Sequence, residues 1–76
     1  MNNIVILCVD DWEVLYVNGQ EEYQHHSVGI GHISKFCPIE SIKRTWITGK
    51  LEDYVLDNGG FPNSLEECVE IGYEVQ

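Results

Sequence analysis

Residues 10–26 read DDWEVLYVNGQEEYQHH, and their reading decides the fold. Trp12 to Val17 has the β-branched and aromatic content of a strand. Gln20 to His25 follows as a second strand. Asn18-Gly19 between them favours a type I′ turn, because both residues tolerate positive φ. A two-residue loop sets Val17 opposite Gln20, Val14 opposite Tyr23 and Trp12 opposite His25. One face of the hairpin then collects Trp12, Val14, Tyr16, Tyr23 and His25. The second strand is otherwise polar (Gln20, Glu21, Glu22, Gln24), as suits an exposed edge.

Outward from the hairpin, Ile4 to Val9 is a continuous apolar run, IVILCV, that suits a central strand buried on both faces. Asp10-Asp11 ends it. Residues 27–37, SVGIGHISKFC, read as a loop leading into a helical turn near Ile33 to Cys37. Gly29 and Gly31 weaken any longer helix by roughly 1 kcal/mol each, and Pro38 interrupts it. The next segment has two readings. Ile39, Ile42 and Trp46 fit a helix face, whereas Lys43 to Thr48 fits a strand, and β-branched and aromatic enrichment favours the strand.

Lys50 to Asp57 reads as a helix ended by Asn58-Gly59-Gly60. Ser64 and Glu67 form a capping box for a last helix, Leu65 to Ile71, closed by Gly72. Leu65, Cys68 and Val69 would form its apolar side. The expected architecture is a single α+β domain over residues 1–76. It has a three- to four-stranded, mostly antiparallel sheet with an N-terminal hairpin and two to three short helices packed on one face.

A 76-residue chain buries only about 60% of the surface its unfolded form exposes. Dimerisation is one remedy for so small a core. The composition, 43% hydrophobic, argues against disorder. Net charge is −9, from 13 acidic and 4 basic residues. Direct binding to nucleic acid or to an anionic membrane needs the opposite sign.

The charge is segregated. Residues 1–24 carry five acids and no base, and residues 51–76 carry seven acids and no base. All four bases, Lys35, Lys43, Arg44 and Lys50, lie between, with the single acid Glu40. Glu66 and Glu67 gain from the positive end of the last helix. Glu70 does not, and it repels Glu66 at i,i+4 and Glu67 at i,i+3. With Glu74 beyond, these form one acidic group. Glu52, Asp53 and Asp57 form a second on the preceding helix, and Asp10, Asp11, Glu13, Glu21 and Glu22 form a third in the hairpin. One reading is a solvated surface that keeps the chain soluble. The other is an acidic face offered to a basic partner. Trp12, at a strand entrance, and Tyr73, beyond Gly72, are the candidate aromatic contacts for a partner or a dimer seam.

Catalytic and metal-binding signals are weak. His25, His26 and His32 with Cys37 fit no zinc-finger spacing, and no HExxH occurs. Nothing in the sequence orients Cys37 against His32 as a nucleophile pair. The glycines at 29–31 and 59–60 precede no GK[ST]. No catalytic residue, metal ligand or cofactor is assigned. Three cysteines, Cys8, Cys37 and Cys68, form no disulfide framework and read as buried thiols of a reducing cytosol. No signal peptide or membrane-spanning run is visible, so a cytoplasmic protein is expected.

DWEVLYVNG followed by HHS, and later LEDYVLDNGGFPNSLEE, resembles small open reading frames carried by bacteriophages and their hosts. Size, acidity and lack of targeting also resemble phage host-takeover proteins. Some of those are DNA mimics that block DNA-binding host proteins. The resemblance implies a non-enzymatic inhibitor, a basic host partner that binds DNA, and no individual site residue.

Overall fold

The computed structural model describes residues 1–74. Four strands form one sheet in the order β3-β2-β1-β4. They are β1 (Asn2–Val9), β2 (Trp12–Val17), β3 (Gln20–His25) and β4 (Ile39–Trp46). The β1/β2 and β2/β3 pairs are antiparallel, and β4 joins β1 in parallel. Three short helices complete the α+β domain: α1 (Ile30–Ile33), α2 (Lys50–Asn58) and α3 (Leu65–Ile71). A 3₁₀ turn, Ser34–Phe36, follows α1. No helix among the described residues is long and apolar enough to cross a membrane.

β1 is buried on both faces because its alternate residues feed two cores. Leu7 and Val9, with Val14 and Tyr16 of β2, face α2 and α3 and meet Leu51, Val55, Phe61 and Cys68. Ile4, Ile6 and Cys8, with Leu15 and Val17, face the opposite way and are covered by Val28. Ile33 and Phe36 pack beside Val28. The two longer helices therefore share one sheet face, and residues 27–37 close the other. Each buried Leu or Val at these positions stabilises the fold by about 1.5–3 kcal/mol.

The Asn-Gly turn forms as its chemistry requires, with φ of 53° at Asn18 and 86° at Gly19. Register then departs from the simple hairpin. Val17 pairs with Gln20 and Tyr16 with Glu21, but Leu15 pairs with Tyr23, leaving Glu22 as a bulge. The extra residue carries Tyr23 away from Val14 and onto the face of Leu15. His25 comes opposite Glu13 rather than Trp12.

Residues 39–46 adopt the strand reading, since β4 gains a parallel ladder on β1, regular from Ser41 to Trp46 and bulged at Glu40. Lys50 to Asn58 ends at Gly59, whose left-handed φ of 77° lets its N–H cap the Val55 carbonyl. Ser64 accepts the Glu67 N–H at 3.2 Å and starts α3, and Gly72 closes it. Two details differ from expectation. Val69 is exposed and Ile71 packs against the core instead. Cys37 is exposed, while Cys8 and Cys68 are buried free thiols.

Candidate functional site

α2 and α3 bury Leu51, Val55 and Cys68 against the same sheet face, so their solvent sides look toward the same half-space. Asp53 and Asp57 stand exposed on α2. Glu66, Glu67 and Glu70 stand exposed on α3. Glu52 is half-buried. The fold thus brings together two of the acidic groups that lie apart in the sequence.

Parts of the third group flank this face. Asp10 and Asp11, in the exposed β1–β2 turn, share a cleft of about 180 Å³ with Val55, Leu56 and Gly59 of the α2 end. Glu66 and Glu67 overlook a cleft of about 450 Å³ beside Asn18 and Gly19. Glu22 does not join them: exposed at the β3 bulge, it lines a cleft on the opposite sheet face with Leu15, Tyr23, His32 and Lys35. Glu74 shares a further cleft, about 320 Å³, with Lys50, the base at the start of α2.

Two expected members do other work. Glu13 is only 7% exposed and lies on the opposite sheet face. One of its carboxylate oxygens accepts the Val28 N–H at 2.9 Å, and the other binds the Arg44 guanidinium. A buried carboxylate persists only when paired in this way, so Glu13 is a structural ion pair rather than part of the acidic surface. Glu21 is half-buried and accepts from the Gln24 side chain at 2.8 Å.

The aromatic candidates are also occupied. Trp12 is half-buried against the core, and its indole N–H donates to Gln24 Oε1 at 3.0 Å. Tyr73 is half-buried against the same core, and burial pushes its hydroxyl pKa up. The aromatic that is exposed is Trp46, at 63%, with Ile42 at 55% on the same strand. The alternation Ile42, Arg44, Trp46 in the sequence carried this signal once the segment was read as a strand.

The histidines serve packing. His32 stacks on Tyr23 at 4.1 Å between centroids. His25 and His26 lie around Trp12 at 6.1 and 5.3 Å. Among the described residues, no group of three or more His, Cys, Asp or Glu side chains is placed to hold a metal ion.

Two of the four bases lie elsewhere. Arg44 is committed to Glu13, and Lys35 sits on the 3₁₀ turn that covers the other sheet face. Lys43, opposite Val5 on β4, is on the helix-bearing face and is engaged in an interaction of its own. The helix-bearing side is still negative on balance, with Lys50 at the start of α2 and Lys43 on the edge strand at its margin.

Comparison of the chain with protein-family models, curated proteins and solved structures finds no match.

Proposed function

We propose that the chain is a non-enzymatic acidic protein that binds the basic, DNA-contacting surface of a host protein, like the phage-encoded inhibitors its sequence resembles. One observation carries this reading. The exposed carboxylates of α2 and α3 lie on one side of the sheet, with Lys50 alone among the chain's bases on those helices. A duplex presents one charge per about 1.7 Å of axis, and clefts that bind it are built to meet dense negative charge. Carboxylates fixed on two short helices offer a basic cleft the same sign of field, steer encounter and displace its bound anions.

The test is competition. The protein would be used as bait in nuclease-treated bacterial lysate, and the recovered protein would be titrated with labelled duplex DNA. The proposal expects a basic partner, release of the DNA by the acidic protein, and loss of binding between low and moderate salt. The Glu66→Gln/Glu67→Gln/Glu70→Gln variant should compete at least tenfold more weakly. A partner that keeps its DNA, or a complex indifferent to both salt and the triple substitution, would overturn it. Salt-indifferent binding would instead favour an apolar interaction module with acidity serving solubility, a reading that the exposed Trp46 and Ile42 support.

A further inference from the structure

The two edges of the sheet are treated differently. The β3 edge is covered by the chain itself. The Glu21 N–H donates to the Asn63 carbonyl at 2.9 Å, Gln20 bridges to Ser64, and the Gln24 side chain holds both backbone groups of Phe61. The β4 edge, eight residues long, has no strand beside it among the described residues. A long open edge carrying exposed apolar side chains is a template for another strand.

We propose that the β4 edge pairs with β4 of a second copy of this chain, antiparallel across a two-fold axis, to make one continuous eight-stranded sheet. The backbone is set for it. The Ile47 N–H donates to the Cys8 carbonyl at 2.9 Å. Ladder groups on one strand alternate between its two edges, so Ile42, Arg44 and Trp46 turn their N–H and C=O outward.

Side chains select the register. Centring the axis on Ile42 places Ile42 against its symmetry mate and brings Arg44 alongside Glu40, the residue at the bulge of β4, on both sides. Ser41 then faces Lys43. Moving the centre to Lys43 or Arg44 sets like charges face to face. Moving it to Ser41 sets Ile42 against Glu40. Only the Ile42-centred register matches apolar with apolar and acid with base.

Net charge points to the same edge. Two chains of charge −9 repel over most of their surfaces. Around β4, however, Lys43 and Arg44 balance Glu40 and Glu13, so copies approach there without that penalty.

The test is made on the full chain in a Cys37→Ser background, because Cys37 is exposed. Opposed residues of a hydrogen-bonded antiparallel pair have Cα atoms about 5.5 Å apart, inside the range of about 4.4 to 6.8 Å that a disulfide spans. Ile42→Cys should therefore oxidise to a linked dimer, and Glu40→Cys, far from its own mate, should not. By sedimentation equilibrium the unlinked protein should show a dimer that dissociates on dilution. Glu40→Lys turns both symmetric pairs from attraction to repulsion and should raise the dissociation constant roughly tenfold. Circular dichroism checks that each variant folds. A folded monomer at all concentrations, or a Glu40→Cys variant that links as readily as the Ile42→Cys variant, would overturn the proposal.

Discussion

Tyr16 links the sheet to the C-terminal half of the chain through one hydroxyl. It donates to the Pro62 carbonyl at 2.7 Å and lies 3.1 Å from Cys68 Sγ, with the whole side chain buried. Tyr16→Phe keeps the ring and its packing but leaves the Pro62 carbonyl without that donor. An unsatisfied buried acceptor costs about 1–3 kcal/mol. Urea unfolding of Tyr16→Phe should show a midpoint lowered to match, with an unchanged slope. An unchanged midpoint would mean that the carbonyl finds water. Glu13 is the other residue whose role is set by distant partners. In the sequence it is one more acid in an acidic hairpin. Its function as a buried ion pair depends on Arg44, 31 positions away, being brought across β1 by the parallel pairing of β4.

At the scale of the element, α3 separates charge placed for stability from charge that opposes it. Glu66 and Glu67 occupy the first turn, where the helix dipole favours them by about 0.3–1 kcal/mol and offsets their mutual repulsion. Glu70 has no such support and faces both at i,i+3 and i,i+4 spacing. Glu70→Gln should therefore stabilise the protein by about 0.5 kcal/mol at low salt, while Glu66→Gln should change little. Thermal melts at low salt and in roughly 1 M salt, where the Debye length falls to about 3 Å, should show the Glu70→Gln gain and then its loss. The ends of this helix were legible in the sequence, as were the Asn18-Gly19 turn and the Gly59 stop, because each is a local signal written in residue chemistry. The bulge at Glu22 was not. Gln20, Glu21 and Glu22 carry no apolar mark of which residue faces inward, so nothing in the strand revealed that Tyr23 changes face. The burial of Ile71 in place of Val69 was equally hidden. It depends on how Gly72, with φ of 140°, turns the chain back beside the start of α2, where a Cβ at this position would stand 3.5 Å from Lys50 Cβ.

For the whole molecule, the acidic groups of α2 and α3 gather on one side of the sheet, and the core beneath sets a limit on alkaline stability. Burial pushes the Cys8 thiol pKa up, with the Glu13 charge adding to it. Burial likewise pushes up Cys68, and it pushes up the Tyr16 hydroxyl together with the bond to Cys68. The folded state therefore holds these groups protonated at a pH where the unfolded chain releases them. Unfolded thiols ionise near pH ~8.5 and an unfolded tyrosine near ~10. The contribution to stability is complete below those values and is lost as pH rises toward the raised folded values. Unfolding free energy should be level with respect to these groups up to pH ~8. Above pH ~8.5 it should fall by up to about 1.4 kcal/mol per pH unit for each buried thiol, and more steeply above pH ~10. Urea unfolding at intervals from pH 7 to 10.5 measures the slope directly. Cys68→Ala is less stable at every pH, because it opens a cavity, yet its stability should fall less steeply with pH because one of the two buried thiols is gone. Equal slopes in the two proteins would show that Cys68 ionises alike in the folded and unfolded chains, contrary to its complete burial beside Tyr16.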